Sequence, residues 1–348
     1  MKSVCFKKIG TVACLDIPEP EIIDPADVII QSSLAGLCGS DLHSFLGREE
    51  GLDVDTVMGH EVVGTIVAAG DSVSYFKVGQ KVYAPFSTNC GSCYYCKNSL
   101  PSRCEQGQLF GWLQNGEGLN GCQSEFVRIP LADGTLVEKP EGVSDIAALL
   151  LGDNFSTGFY CAEMAEVTPS GAYAVIGCGT VGLLCIVAAK SMGAETIFAL
   201  DPVESRRQQA KSLGAVALNP NESGIQTVKE KTKGRGVDSV MELVGIPDAQ
   251  ALAYKLLRHG GIMSVIGCHC TPNFAFSPVD AYDKNLIYKT GRCPARYYMD
   301  KLTERVANGE FEIDSFVTHH FDATDCVNAY DIFSNRKDGC LKAVFDFT

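Results

Sequence analysis

The stretch from Ala172 to Asp201 constrains the fold of this chain more than any other. Ala172-Tyr173-Ala174-Val175-Ile176 is an unbroken apolar run of strand length, and Gly177-Cys178-Gly179-Thr180-Val181-Gly182 is a G-x-G-x-x-G turn. Val181, Leu184, Cys185 and Ala188 then recur at helical spacing. A second apolar run, Thr196-Ile197-Phe198-Ala199-Leu200, ends in Asp201, 24 residues past Gly177. Strand, glycine turn, helix, strand and acid in that order predict a βαβ unit of a doubly wound parallel sheet that binds a dinucleotide. The glycines let the backbone approach a pyrophosphate, and the helix N-terminus offers unpaired N–H groups and a positive dipole end. A carboxylate at Asp201 accepts the ribose hydroxyls of NAD and repels a 2′-phosphate. Arg206 and Arg207 pull the other way, because arginine accommodates NADP.

The βα alternation continues to about residue 290. A helix is predicted over Val203 to Leu213 and stopped by Gly214, a strand near Val237 to Leu243, a helix near Ala249 to Arg258, and a strand from Gly261 to Ile266. The next residues, Gly267-Cys268-His269-Cys270, are zinc-like in composition but lack a partner pair of ligands. They are expected to close a strand at the carboxyl edge of the sheet, with Cys268 lining the cofactor pocket. Residues 1 to about 90 read instead as short strands punctuated by turns. Pro18-Glu19-Pro20 and Asp24-Pro25 mark turns, while Val28-Ile29-Ile30 and Glu61-Val62-Val63 through Ile66-Val67 read as short strands of a barrel or sandwich. The end of the chain mixes one amphipathic helix with strand-like pieces such as Phe316-Val317-Thr318, and its His319-His320 pair reads as exposed or structural.

Sixteen cysteines would suit a small secreted disulfide framework, but 348 residues with 46% apolar composition can bury about two domain cores without staples. Four of the sixteen fall together, as Cys90-Gly91-Ser92-Cys93-Tyr94-Tyr95-Cys96 followed by Cys104. A C-x2-C-x2-C-x7-C lobe over about residues 88–106 can wrap tetrahedrally around one Zn²⁺ and leave no position open, which makes the site structural. An iron–sulfur cluster is the competing reading of the same spacing. Upstream, Cys38-Gly39-Ser40-Asp41-Leu42-His43 gathers a thiol, a hydroxyl, a carboxylate and an imidazole, and Gly59-His60-Glu61 adds a second set. Thiolate and imidazole are the donors that zinc prefers. The net charge of −13 argues against nucleic-acid backbone binding. The absence of a signal-like apolar stretch near Met1, or of a run long enough to span a membrane, points to a cytoplasmic protein.

These motifs together resemble the medium-chain, zinc-dependent alcohol dehydrogenase family. The matches are Cys38 to His43, Gly59-His60-Glu61 with Gly64, Gly70 and Val73, the four-cysteine lobe, and the glycine turn with Asp201, in family order along nearly the whole chain. The resemblance implies an α/β protein with two domains. A chaperonin-10-like (GroES-like) β-barrel catalytic domain would span 1–154 and 296–348, and a Rossmann NAD-binding domain would span 155–295. It implies two zinc ions per subunit, one held by Cys90, Cys93, Cys96 and Cys104, the other a catalytic zinc with Cys38 and His60 as ligands. In Leu151-Gly152-Asp153-Asn154-Phe155-Ser156-Thr157-Gly158 the third ligand position offers Asp153, as in family members with a Cys-His-Asp set. Thiolate plus carboxylate balance the metal charge as two thiolates would.

By the same resemblance Asp41 orients His60, Glu61 stands beside the metal, and Ser40 and His43 carry the proton of the alcohol toward solvent. Thr157 and Lys342 would contact the nicotinamide and the pyrophosphate, joining Gly177, Gly179, Thr180, Val181, Gly182, Asp201, Arg206 and Cys268 as cofactor contacts. The implied activity is hydride transfer between a small primary or secondary alcohol, or its aldehyde or ketone, and NAD, by a homodimer or homotetramer. Phe110-Gly111-Trp112 with Gly118 to Gly121 resembles the bacterial alcohol and formaldehyde-type members. A polyol or amino-alcohol dehydrogenase is the alternative activity, and a nucleotide-binding redox sensor the non-enzymatic one.

Overall fold

Alternation of apolar residues in the first 140 residues builds antiparallel strands, and the computed structural model, which describes residues 1–347, shows them in chain order. They are β1 (Lys2–Lys8), β2 (Thr11–Asp16), β3 (Val28–Leu37), β4 (Val62–Ala69), β5 (Lys81–Ala84), the small pair β6 (Trp112–Gln114) and β7 (Glu117–Leu119), β8 (Phe126–Ile129) and β9 (Val137–Glu138). Short helices α1 (Asp41–Phe45), α2 (Tyr94–Lys97) and α3 (Ala132–Thr135) fall between them, and α4 (Asp145–Gly152) and α5 (Asn154–Met164) follow. The two short strands expected around Val28 and Val62 are longer than their apolar cores: each extends until its pairing ends, and β3 carries β4 on one side and β8 on part of the other.

The chain then alternates strictly: β10 (Ala172–Ile176), α6 (Thr180–Ser191), β11 (Thr196–Leu200), α7 (Glu204–Ser212), β12 (Val216–Leu218), α8 (Glu222–Lys231), β13 (Val237–Glu242), α9 (Pro247–Leu256), β14 (Leu257–Val265), α10 (Pro278–Asp283) and β15 (Ile287–Thr290). All six strands run parallel in the order β12-β11-β10-β13-β14-β15. The strand order reverses beside β10, the switch point at which such sheets bind ligands. The core of this sheet is a continuous apolar layer including Ala174, Ile176, Phe198, Val240 and Met263. The helix expected to reach Arg258 stops at Leu256, because Leu257 pairs with Val237 and the Arg258 guanidinium bonds Asp238 on β13 at 2.7 Å.

The last segment adds α11 (Ala295–Ala307), β16 (His319–Asp322), α12 (Cys326–Ser334) and β17 (Ala343–Asp346). Phe316-Val317-Thr318 is not a strand: Asp314–Phe316 is a 3-10 turn, and pairing starts at His319, whose strand lies parallel to β17. His320 is exposed and bonds Asp346 at 3.1 Å. β17 pairs antiparallel with β3, Ala343 facing Leu37, so the C-terminal segment completes a seven-stranded sheet begun at residue 28. The chain accordingly forms two compact units. One comprises Met1–Ser156 with the segment from Pro294 onward, the other Thr157–Cys293. The expected limits at 154/155 and 295/296 fall two residues from these. Among the described residues no helix is long and apolar enough to cross a membrane.

Candidate metal centres and nucleotide turn

Every donor of the buried centre stands at the end of an element in the barrel unit. Cys38 follows β3 directly, Glu61 precedes β4 directly, and Asp153 occupies the break between α4 and α5. Ligand atoms of Cys38, His60, Glu61 and Asp153 all lie within 4.8 Å of one another. Cys38 Sγ is 3.5 Å from Asp153 Oδ2, and His60 Nε2 is 3.6 Å from the same oxygen. A tetrahedron with zinc–ligand bonds of 2.0–2.3 Å has edges of about 3.3–3.8 Å, so both separations from Asp153 fit a shared zinc ion. Glu61 Oε1 stands farther off, 4.0 Å from His60 Nε2, and is engaged elsewhere. Lys342 Nζ lies 2.6 Å from each of its carboxylate oxygens, and Asn154 Nδ2 donates to Oε1 at 3.0 Å.

A set of polar side chains holds these donors. Asp41 accepts from the Cys38 N–H at 2.8 Å and meets His60 Nδ1 at 3.2 Å, which leaves Nε2 as the nitrogen facing the other donors. Gln123 bridges the Gly36 carbonyl and Asp41, and Tyr330 donates to its other end at 3.0 Å. Asn154 also donates to Asp153 Oδ2 at 2.7 Å. Only glycine fits at 36, where a Cβ would stand 1.9 Å from Glu61 Oε2.

Electrostatics follow from this packing. Burial, with Asp153 and Glu61 nearby, pushes the Cys38 thiol up. Burial opposes charge on His60, but Asp41 and hydrogen bonds to Asp153, Asp41 and Cys38 outweigh it and hold the imidazole well above the ordinary histidine range. Asp153 is held low against its own burial by His60 and then Lys342. Burial raises Glu61 in spite of Lys342. Three acidic donors crowded around one imidazole and one ammonium are the electrostatics of a cation site. Ser40 is exposed on the turn after Cys38, its Oγ 3.9 Å from Cys38 Sγ. His43 is buried on α1, and burial holds its imidazole below the ordinary range, neutral and able to take up a proton.

Lys342 has a partner that the sequence did not point to. It is fully buried in the barrel unit and ion-paired with Glu61, because the pairing of Ala343 with Leu37 seats the preceding residue beside Cys38. Asn154 and Gln123 were not singled out from sequence. An amide immediately after Asp153 was the available signal for the first, while Gln123 had none.

The second cysteine cluster is different in kind. Sγ atoms of Cys90, Cys93, Cys96 and Cys104 lie within 4.8 Å of one another, and all four residues are half-buried. Backbone N–H groups point at sulfur: Cys90 N–H at 3.2 Å from Cys104 Sγ, and Cys93 N–H at 3.3 Å from Cys90 Sγ. Burial resists ionisation of Cys90, yet the N–H groups of Ser92 and Cys93 bring its thiol down to about 6. Four sulfurs with amide support fit a closed tetrahedral ion.

In the other unit, Gly177, Gly179, Thr180, Val181 and Gly182 form the turn from β10 into α6. A Cβ on Gly182 would stand 1.8 Å from the Gly177 carbonyl oxygen, which is why the turn can be so tight. Asp201 directly follows β11 and is buried; its carboxylate accepts from the N–H groups of Cys178 and Val203, both at 2.8 Å, and so clamps the turn. A carboxylate has about four acceptor sites, so ribose hydroxyls can still be bound there. Arg207 is committed to the Asp201 carbonyl and to Glu204, whereas Arg206 reaches over Gly179. Thr157 lies on α5, and Cys268 on the loop after β14.

Comparison with known proteins agrees with this architecture. Residues 24–141 match the alcohol dehydrogenase GroES-like domain, and residues 180–305 the zinc-binding dehydrogenase domain. The zinc-type alcohol dehydrogenase B of Aspergillus flavus is 36% identical over 346 residues, covering 97% of this chain and 79% of that protein. The chain belongs to the medium-chain zinc-dependent alcohol dehydrogenase family. Among solved structures of this alcohol dehydrogenase family, TADH from Thermus sp. ATN1 superposes with a TM-score of 0.92 at 31% identity, covering 99% of each chain. A sorbitol dehydrogenase of Bacillus subtilis is 29% identical, covering 99% of this chain and 96% of its own length. As a member of this family, the protein is an oxidoreductase.

Proposed function

We propose that this protein is an NAD-dependent dehydrogenase of small primary or secondary alcohols, with one zinc ion held by Cys38, His60 and Asp153 and a second by Cys90, Cys93, Cys96 and Cys104. The observation that carries the reading is the triangle of Cys38 Sγ, His60 Nε2 and Asp153 Oδ2, whose two edges to Asp153, 3.5 and 3.6 Å, suit zinc and which offers three protein donors and no fourth of equal fit. A bound zinc would supply Lewis acidity at the substrate oxygen. The protein's own groups do the rest. Asp41 fixes His60 in one orientation, Lys342 and Asn154 keep Glu61 away from the donor triangle, and Ser40 takes up the hydroxyl proton that His43, neutral through burial, passes on. Asp201, buried beside the glycine turn, supports NAD over NADP, since a 2′-phosphate would face its carboxylate.

Initial rates on the zinc-loaded protein with ethanol, 2-butanol, sorbitol and threonine, each with both coenzymes, test this directly. The expected result is NADH formation with the two simple alcohols. Preferential turnover of sorbitol, or a tenfold preference for NADP, contradicts the substrate or the coenzyme assignment respectively.

A further inference from the structure

Apart from the expected cofactor contact of Cys268, the turn Cys268-His269-Cys270 is not used by the proton path or the two metal centres above. Of the sixteen cysteines, all among the described residues, only Cys268 and Cys270 are exposed. Their Sγ atoms lie within 4.8 Å of each other, and the Cys270 thiol points back to the Cys268 carbonyl at 3.9 Å. His269 between them is not available as a third ligand, because its Nε2 is bonded to buried Glu242 at 3.1 Å. Glu242 in turn accepts the N–H groups of Val244 and Gly245 at 2.8 and 2.9 Å. The turn thus carries two exposed thiols on either side of a residue held by Glu242. Exposed side chains change rotamer on the picosecond to nanosecond scale, which suffices to bring two sulfurs at this separation into bonding distance.

We propose that Cys268 and Cys270 are a dithiol modification site that reacts with small-molecule disulfides and closes into a Cys268–Cys270 disulfide. One thiolate attacks the incoming disulfide, forms a mixed disulfide and releases one small thiol. The neighbouring thiol then attacks the protein sulfur of that mixed disulfide and releases the second. Two protein thiols are oxidised, one small disulfide is reduced to two thiols, and the two protons pass to the products.

The site is wired to the nucleotide turn through backbone. A Cβ on Gly267 would stand 2.2 Å from the Gly245 nitrogen, and one on Gly245 would stand 2.4 Å from the Cys268 carbonyl oxygen. The adjoining Val244 side chain packs on Gly177, the first glycine of the G-x-G-x-x-G turn. These three loops follow β14, β13 and β10, which are neighbours in the sheet. A disulfide that tightens the 267–270 loop therefore shifts the layer against which the glycine turn is built, and lowers affinity for the coenzyme. That last step rests on the nucleotide-binding reading above.

The test uses the full-length, zinc-loaded protein equilibrated with glutathione disulfide, then probed by tryptic peptide mass and by NADH fluorescence titration. The peptide from His259 to Lys284 contains Cys268 and Cys270 and no other cysteine, so its mass reports this site alone. The expected result is loss of two hydrogens from that peptide with no retained glutathione, together with about tenfold weaker NADH binding that a dithiol reductant restores. The Cys268→Ser/Cys270→Ser variant should show the same NADH affinity before and after treatment. A peptide that keeps both thiols, or carries stable glutathione on each, overturns the site. Disulfide formation with unchanged affinity overturns the coupling. Failure of the reduced protein to bind NADH at all would instead overturn the nucleotide-binding reading itself.

Discussion

The two cysteine-bearing centres of the barrel unit use the same donor element and differ in almost everything else. Cys90, Cys93, Cys96 and Cys104 come from fifteen consecutive residues, are half-buried, and supply four sulfurs supported by their own backbone amides. Cys38, His60 and Asp153 come from three distant segments, are largely buried, and depend on Asp41, Glu61 and Asn154 beside them in sequence and on Lys342 from the C-terminal segment. A site assembled locally from identical ligands can close around its ion and hold a loop. One assembled from the ends of several strands and helices can keep a position open and tune each donor separately, at the cost of burying charge.

This contrast can be broken at its strongest point first. Replacing Cys38 by Ala removes a donor from the open centre, and alcohol oxidation should fall by at least about a thousandfold, as measured by kcat/KM, with the fold retained by circular dichroism. Next comes the buried pair. Lys342→Met leaves Glu61 without its cation and should cost about 3–5 kcal/mol in denaturant unfolding, most of it recovered in the Lys342→Met/Glu61→Gln double variant. In the closed lobe the pattern should invert: Cys104→Ser lowers the melting temperature by about 10 °C while kcat of the folded enzyme changes by less than about threefold. Asp41→Asn should weaken zinc affinity at the open centre by about ten- to a hundredfold without touching the lobe, read by competition with a chelating dye. The smallest effect concerns His43. Its neutral form is the proton acceptor and burial lowers its titration, so alcohol oxidation should decline on acidification below the ordinary histidine range. His43→Gln should flatten that limb of the pH–rate profile.

Legibility in the sequence divides along the same line. The glycine turn and the four-cysteine lobe are local: strand, turn and helix adjoin in sequence, and a C-x2-C repeat needs only its own loop, so Gly177 to Gly182 and Cys90 to Cys104 could be read directly. Cys38 and His60 were legible because each sits in a dense polar motif. Their long-range partners were not. Lys342 meets Glu61 across 281 positions, through a strand pairing that sets Ala343 against Leu37, and nothing local to Leu341-Lys342-Ala343 encodes that register. Gln123 reaches Asp41 across 82 positions in the same way. The missed strand start at Leu257 has a similar origin, since the Arg258 bond to Asp238 is a tertiary contact that overrides helical spacing.

The central claim is that the buried Cys38, His60 and Asp153 triangle is a zinc centre separate from the four-thiol lobe, and that it alone carries turnover. Zinc content per chain, measured by atomic emission on Asp153→Ala beside the unsubstituted protein and coupled to NADH formation from ethanol, tests it most directly. The account predicts two zinc ions falling to one, with activity lost and the melting temperature within a few degrees of the unsubstituted protein. Two zinc ions with undiminished activity in Asp153→Ala would contradict it.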